Sequence, residues 1–347
     1  MIIDCDTHYL PRTWLDRVDP ALVGDAIAIE WNGADGVFYR NGRRVMDLAE
    51  PVWNLEQRVP GMQQDGFDLQ VLIPENRPLL YETDRDLGCA LARAYNDAAA
   101  DDLKAGGPFF GVAWVYLPDI EEAIVEMERA VKVLGLKAVK LMGNFGSVHL
   151  GGPELQPFYA KAAELDVPII LHPPARTYDD QPINPLLVGA PSFEHEYWFL
   201  SSAYGFPFTY MVTIANLIFS GTMDRFPDLR FGFFEAGGEW VPYAMDRLDV
   251  YYDEHYRRGT EVVTKLQHRP SEYFTRFYVA ILSRERHLPA LLQQIPDHRL
   301  IVGSDFPHQD PSGTWPDTLS ELRGIEGFAP GDLNAMLDTN ARSFLGL

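Results

Sequence analysis

The sequence predicts a (β/α)₈ barrel, and three observations lead to that fold class. The chain has 347 residues, 46% of them hydrophobic, which is enough to bury one large core. Eight short apolar runs alternate with longer amphipathic stretches, and the apolar residues of each run are contiguous, as in strands buried on both faces. No change of composition divides the chain, so we expect residues 1–347 to form a single domain. Strands that alternate with helices in this way are typical of a parallel sheet closed into a barrel.

The predicted strands are short and follow one another along the whole chain. Their ranges are 2–8, 69–73, 109–115, 136–142, 167–171, 229–234, 277–281 and 300–303. The alternative is a doubly wound open sheet, which usually carries a Gly-rich phosphate-binding turn after its first strand. That turn is missing here, so the barrel is favoured.

Three of the segments between strands carry clear helix signals. Residues 84–103 are rich in Ala and Leu at helical spacing, and a further helix is expected over 153–165. Pro118-Asp119 opens a helix that has acidic residues in its first turn and ends before Gly135.

Two regions, 9–54 and 173–205, interrupt the alternation. The first contains Asn41-Gly42, a type I′ hairpin signal, and the second is rich in Pro and aromatic residues. Both follow predicted strands, so we expect both insertions to lie over the C-terminal mouth of the barrel, where a substrate lid usually forms.

Charge and composition exclude several classes of protein. Lys and Arg number 29 against 50 Asp and Glu, which gives a net charge of −21 and disfavours nucleic acid or an anionic membrane as partner. Two cysteines exclude a disulfide scaffold. No apolar stretch is long enough to span a bilayer, and the start lacks a cationic leader, so we expect a cytoplasmic protein.

Polar side chains stand at the C-terminal ends of four predicted strands. Asp6 and His8 end the first strand, and His172, Glu235 and Asp305 follow the fifth, sixth and eighth. Side chains alternate along a strand, so Asp6 and His8 should point into the barrel together, and Cys5 should pack behind the strand. Taken singly, each residue also suits a structural role; Asp305, for example, could cap a helix.

Buried charged and imidazole groups are costly unless they are paired or bind a metal. A divalent cation held by Asp6, His8, His172 and Asp305 removes that cost and leaves a position for water or substrate. The sequence therefore predicts a metal site at the mouth of the barrel.

With these motifs the sequence resembles the amidohydrolase-2 branch of the amidohydrolase superfamily, which includes aminocarboxymuconate-semialdehyde, resorcylate and carboxyvanillate decarboxylases. The motifs span nearly the whole chain: IIDCDTH, RAYNDAAA, LHPP, FPDLRFGFFEAGGEWVPYAMDRLD, GSDFPHQD and LDTNARSFLGL. The resemblance implies a distorted barrel with one Zn²⁺ or Mn²⁺ per chain, bound by Asp6, His8, His172 and Asp305. It also implies a homodimer.

One position departs from the family pattern. The decarboxylases of this branch carry a histidine at the end of the sixth strand, where this chain has FFEAGG with Glu235. A carboxyl group can also transfer a proton if burial raises its pKa towards neutrality. Glu235 is otherwise expected to bind the metal or to hydrogen-bond a metal-binding histidine.

A second set of residues is expected to contact the substrate. His308 lies three residues past the eighth-strand aspartate and is predicted to bind substrate or shuttle a proton. His195 in the second insertion and Lys140 at the fourth strand are further candidates. Arg43 and Arg44 follow the hairpin signal, where either can clamp a substrate carboxylate, although adjacent arginines are often only a solvated rim.

Two chemistries fit these residues. The first is non-oxidative decarboxylation of a hydroxylated aromatic or conjugated unsaturated acid, with Asp305 or Glu235 as the proton donor. The alternative is hydrolysis of an amide, ester or lactone by a metal-activated water, with Asp305 as the base. Both take a small molecule as substrate, and the first requires a carboxylic acid.

Overall fold

The structure is a computed structural model that describes residues 1–76, 80–143, 149–173, 201–258, 265–295, 297–308 and 315–347. Eight strands form one parallel sheet in the order β1-β5-β6-β7-β8-β9-β10-β11, and three antiparallel strands form a second sheet. The strands are β1 Ile3–Tyr9, β2 Ile27–Asn32, β3 Asp35–Arg40, β4 Arg43–Leu48, β5 Leu69–Pro74, β6 Phe109–Trp114, β7 Ala138–Met142, β8 Ile169–His172, β9 Phe231–Phe233, β10 Phe277–Ile281 and β11 Leu300–Val302.

Helices follow most strands of the large sheet. They are α1 Pro20–Val23, α2 Glu50–Trp53, α3 Leu55–Asp65, α4 Arg85–Leu103, α5 Ile120–Lys132, α6 Gln156–Glu164, α7 Phe206–Phe219, α8 Thr222–Arg225, α9 Val241–Arg257, α10 Leu288–Leu292, α11 Thr318–Arg323, α12 Asp332–Asn334 and α13 Asn340–Leu345. The aspartates before α4 and α5 cap these helices, because Asp84 accepts from Leu87 N at 3.0 Å and Asp119 accepts from Glu122 N at 3.0 Å.

The large sheet closes on itself just beyond the end of β11. Thr7 of β1 forms a bridge with Phe306, and Asp305 N donates to Asp6 O at 2.9 Å. The (β/α)₈ class is therefore confirmed, and each of the eight predicted strands appears with its ends within two residues of the prediction. That the whole chain forms one domain stays a prediction.

The first insertion contains the small antiparallel sheet, in which β3 pairs with both β2 and β4. Asn41 and Gly42 have φ values of 48° and 72° at the turn between β3 and β4. Both values are positive, as a type I′ turn requires, so the predicted hairpin is confirmed. The predicted location of the insertions over the mouth stays a prediction.

The first strand of the barrel is irregular, and this changes where one side chain points. Ile3 pairs with Leu69 and His8 with Ile73, so β1 uses one more residue than β5 over the same length. Cys5 consequently packs in the cluster of buried residues that includes Ile3 and Ile73 rather than behind the strand. The expectation that this residue faces away from the barrel interior was wrong, because side chains alternate strictly only where the register is regular.

Most of the apolar core lies between the strands and the surrounding helices. A smaller cluster fills the barrel and includes Ala138 and Ile170, which are followed two residues later on their strands by Lys140 and His172. The polar site therefore lies on the same strand face as this inner cluster, nearer to the C-terminal ends. Within the described ranges, no helix is both long and apolar enough to cross a bilayer.

Candidate metal centre

Four buried side chains from three strand ends meet at the mouth of the barrel. Asp6 and His8 come from β1, His172 is the last residue of β8, and Asp305 follows β11. One ligand atom from each lies within 4.8 Å of the others. His8 Nε2 lies 3.1 Å from Asp305 Oδ1, while Asp6 Oδ1 lies 4.0 Å from His8 Nε2 and 3.8 Å from His172 Nε2. The structure thus brings together the four residues that the sequence proposed as metal ligands.

The hydrogen bonding of this cluster fits a bound cation. Among the described residues, Asp6 Oδ1, Asp305 Oδ2 and His172 Nε2 are buried and accept or donate no hydrogen bond. Buried polar atoms in proteins nearly always have a hydrogen-bond partner. Three such atoms without one, close together, therefore indicate that a further group binds between them. Two carboxylates and two imidazoles form a donor set that suits Zn²⁺ or Mn²⁺.

The electrostatics of three of these residues, Asp6, His8 and His172, also fit a bound cation. Burial and the neighbouring Asp305 charge raise the pKa of Asp6 well above its ordinary value. Burial also lowers the pKa of His8 to about 4 and holds the pKa of His172 well below its ordinary value. A bound divalent cation would offset the cost of ionising the buried Asp6 carboxyl, and it requires neutral histidines as ligands. The raised pKa of Asp6 and the lowered pKa values of His8 and His172 therefore suit metal binding.

A buried aspartate that the sequence analysis missed fixes the backbone before Asp305. Asp4 accepts hydrogen bonds from Ser304 N at 2.9 Å and Ser304 Oγ at 2.7 Å. Asp305 itself has a φ of 56°, a left-handed conformation that costs a non-glycine residue on the order of 1–3 kcal/mol. The contacts of Asp4 therefore help to hold Asp305 in a backbone conformation that would otherwise be unfavourable.

Glu235 also reaches the cluster. It follows β9 with a φ of 60°, and its Oε2 lies 3.3 Å from His172 Nε2. It also groups with Asp305 and His308 as a second set of potential ligands. The Glu235 carboxylate thus lies beside a candidate metal ligand.

His308 links two carboxylates at the edge of the cluster. Its Nδ1 lies 3.0 Å from Asp305 Oδ1 and its Nε2 lies 2.9 Å from Glu75 Oε2. Its ring stacks on His8 with centroids 4.3 Å apart. Both nitrogens face acceptors, which suits an imidazolium that donates from each. Glu75 was not predicted, although it directly follows β5 and so obeys the same strand-end rule as the other site residues.

The charge of His308 affects Asp305 directly. Burial disfavours the ionised Asp305, but the His308 charge and hydrogen bonds from His308 and His8 outweigh burial. Together they hold the pKa of the Asp305 carboxyl below its ordinary value.

Lys140 lies fully buried on β7, in the barrel interior. Its Nζ donates to Pro74 O at 2.7 Å and lies 5.5 Å from the centre of the Trp114 ring. Burial lowers the pKa of Lys140 to about 7, against the opposing charges of Glu75 and Glu235. Lys140 therefore interacts electrostatically with two acidic residues of the site, Glu75 and Glu235.

The other predicted substrate contacts are Arg43, Arg44 and His195. Arg43 and Arg44 begin β4 of the small sheet, where Arg44 bonds Asp47 and its side chain is 62% exposed. Their role in substrate binding stays a prediction, and the surroundings of Arg44 are those of a solvated rim. His195 lies outside the described residues.

Two further side chains contact the strand ends, and neither was predicted. Asn76 lies against His172, with its Nδ2 on His172 Nδ1 and 3.1 Å from Pro173 O. The hydroxyl oxygen of Tyr210 in α7 lies 2.7 Å from Leu171 O and 2.8 Å from Phe234 O, so its one hydrogen is shared between the two carbonyls. Asn76 follows a strand as the ligands do, whereas nothing in the sequence pattern marks Tyr210.

Comparison with known proteins places this geometry in context. Residues 3–347 match the Amidohydro_2 family model, described as amidohydrolase. The chain is 24% identical to a 2-amino-3-carboxymuconate-6-semialdehyde decarboxylase of Dictyostelium discoideum, over 99% of this chain and 91% of that protein. It is 28% identical to a gamma-resorcylate decarboxylase of Rhodococcus jostii, over 65% of this chain and 69% of that protein.

A solved structure of similar fold is that of a dihydroxybenzoic acid decarboxylase from Polaromonas sp. JS666, with bound manganese and the inhibitor 2-nitroresorcinol. The TM-score is 0.72 at 22% identity, with 100% of this chain and 97% of that chain covered.

Proposed function

The chain belongs to the amidohydrolase family, and from that premise we propose that it is a metal-dependent decarboxylase of a hydroxylated aromatic or conjugated unsaturated carboxylic acid. The observation that carries the proposal is the convergence of Asp6, His8, His172 and Asp305, with orphaned donor atoms, at the mouth of the barrel. The relatives named as decarboxylases of such acids support the reaction class.

These four residues would hold one Zn²⁺ or Mn²⁺. When bound, the cation would supply Lewis acidity and orient the oxygen atoms of the substrate. Glu235, 3.3 Å from His172, would stand beside the substrate as a second carboxylate.

The reaction breaks the bond between the carboxylate group and the substrate carbon that carries it, and releases CO₂. One proton is then placed on that substrate carbon. The His308–Asp305 pair is suited to hold this proton. It can lie on the ring or on the carboxyl group, whose atoms are 3.0 Å apart, without changing the total charge of the pair. Asp305 Oδ1, the oxygen that contacts His308, would carry this proton, and Oδ2, which makes no hydrogen bond to the described residues, would be left for the cation.

Binding of an acid substrate needs positive charge beside the metal. We propose that Lys140 supplies it from within the barrel, and that His195, Arg43 and Arg44 contribute from the two insertions. The homodimer, the cytoplasmic location and the single-domain organisation remain parts of the proposal. So does the choice between Zn²⁺ and Mn²⁺.

Hydrolysis of an amide, ester or lactone is the second candidate, and one observation favours it. The contacts of His308 and His8 favour the ionised form of Asp305, and an ionised carboxylate is ready to act as a base rather than an acid. Glu235 in place of a histidine also weakens the analogy with the decarboxylases.

Metal analysis tests the proposal first. Protein purified without chelators is measured by mass spectrometry, together with Asp6→Ala and His172→Ala, and with the exposed Asp86→Ala and His268→Ala as matched controls. We expect about one Zn or Mn per chain in the parent and in both controls, and a loss in the two site variants. A parent that takes up neither Zn²⁺ nor Mn²⁺ would contradict both chemistries.

A substrate screen then separates the two reactions. Hydroxybenzoates, unsaturated acids and lactones are incubated with the metal-loaded protein in ¹⁸O-labelled water. Release of CO₂ identifies the decarboxylase, whereas ¹⁸O in the organic product identifies the hydrolase.

A further inference from the structure

Asn76 is the side chain that contacts the ring nitrogen of His172 on the side away from the ligand cluster. It is 5% exposed and is the second residue after the end of β5. Its Nδ2 meets His172 Nδ1 and lies 3.1 Å from Pro173 O. Its Oδ1 is buried and accepts no hydrogen bond from the residues that the structure describes.

The chemistry of imidazole gives this contact a consequence. A neutral histidine carries one N–H, and the other nitrogen is the only one that can bind a cation. His172 Nε2 faces Asp6 and Glu235, at 3.8 and 3.3 Å, so Nε2 must be the ligand atom and Nδ1 must carry the proton. The carbonyl oxygen of Pro173 lies 3.4 Å from Nδ1, which is long for a hydrogen bond, so a closer acceptor is required there.

A carboxamide can offer either of its ends at that position. With Nδ2 against Nδ1, the amide donates, and the ring proton is kept on Nε2, where it blocks a cation. A half-turn about the Cβ–Cγ bond exchanges the two ends. It breaks the bond from Nδ2 to Pro173 O and brings Oδ1, the atom without a partner among the described residues, against the Nδ1 proton. The amide orientation and the histidine tautomer are thus coupled.

We propose that Asn76 is a positioning residue that selects the tautomer of His172 and thereby sets the metal affinity of the site. The proposal rests on the metal site of the proposed function. Partners of this kind fix ring orientation and tautomer, and their loss typically weakens metal binding about 10- to 100-fold.

Two substitutions at Asn76 and one control test this role. Asn76→Leu keeps the approximate shape and removes both polar ends, whereas Asn76→Asp keeps an acceptor and cannot donate. Asn340→Leu is the matched control, because Asn340 is also buried and donates to Leu300 O at 2.9 Å, at the opposite end of β11 from Asp305.

The first readout is the dissociation constant for Zn²⁺, measured on the full-length protein by competition with a chromophoric chelator. We expect about 10- to 100-fold weaker binding for Asn76→Leu, binding at least as tight as the parent for Asn76→Asp, and no change for Asn340→Leu. Parent-like binding by Asn76→Leu, or equal weakening in the Leu and Asp variants, would overturn the proposal.

The second readout does not depend on metal. In the metal-free protein, ¹⁵N shifts of labelled histidine report which nitrogen of His172 is protonated, and Asn76→Leu should change them. Should the parent bind neither Zn²⁺ nor Mn²⁺, the proposed function fails, and this spectrum alone decides on Asn76. Identical His172 shifts in parent and Asn76→Leu would then overturn its role.

Discussion

Tyr210 provides a sharp test of how the strand ends are held. Its ring is fully buried, and its hydroxyl shares one hydrogen between Leu171 O and Phe234 O, the carbonyls just before His172 and Glu235. Tyr210→Phe removes one oxygen and leaves the apolar packing of the ring intact. Leu171 O keeps its bond from Phe234 N at 3.0 Å, so the substitution mainly affects Phe234 O.

The expected loss of stability follows from the carbonyl oxygen of Phe234. A buried acceptor left without a hydrogen bond costs about 1–3 kcal/mol, and we expect the free energy of unfolding to fall by that amount. The assay is urea denaturation of the metal-free protein, followed by a Zn²⁺ titration of the folded variant. Because the two carbonyls precede His172 and Glu235, Zn²⁺ binding should also weaken.

Tyr159→Phe is the matched control. Tyr159 is equally buried and donates to Leu150 O, which none of the candidate ligands adjoins. It should lose stability in the same range without a change in Zn²⁺ affinity. A Tyr210→Phe protein within about 0.5 kcal/mol of the parent, or equal loss of Zn²⁺ affinity in both variants, would refute the reasoning.

Three further substitutions give separate tests. Burial lowers the pKa of Lys140 to about 7, so between about pH 7 and 10 the unfolded chain binds more protons than the folded protein. The free energy of unfolding should therefore rise with pH in this range, and Lys140→Met should flatten that rise when it is measured by urea denaturation at several pH values. Glu75→Gln replaces the charge-assisted hydrogen bond to His308 with a neutral one, which costs about 1–2 kcal/mol. On a substrate from the screen, kcat/KM should therefore fall roughly 5- to 30-fold. An unchanged kcat/KM would contradict a role for Glu75. Gly42→Ala forces a side chain onto a φ of 72° and should cost about 1 kcal/mol of stability; no loss would argue against the type I′ turn.

Local sequence pattern was sufficient to predict the barrel. Strands of a parallel barrel are buried on both faces, so they are recognised as contiguous apolar runs whatever their neighbours are. The same reasoning fails where regular geometry fails. Cys5 was misplaced because one extra residue in β1 shifts the register between Asp4 and Thr7, and the sequence of β1 alone gives no sign of it.

The site was predictable as far as the strand-end rule applies. Asp6, His8, His172 and Asp305 were identified because all four stand at the same end of predicted strands, and the structure brings them together. Glu75 and Asn76 also stand at a strand end. Their sequence alone does not show that Glu75 faces His308 and that Asn76 faces His172. Tyr210 belongs to a helix after the long second insertion, and only the folded chain brings it to the strand ends.

The charge balance of the site explains why a divalent cation suits it. Four carboxylates, Asp6, Asp305, Glu75 and Glu235, lie close to Lys140 and to His308, which is suited to imidazolium. Even with both nitrogenous groups protonated, the formal charge of this set is two negative, and such an excess is costly in a buried site. A divalent cation neutralises it. A substrate carboxylate adds a further negative charge, so we expect an acid to bind only after the metal, whichever of the two reactions follows.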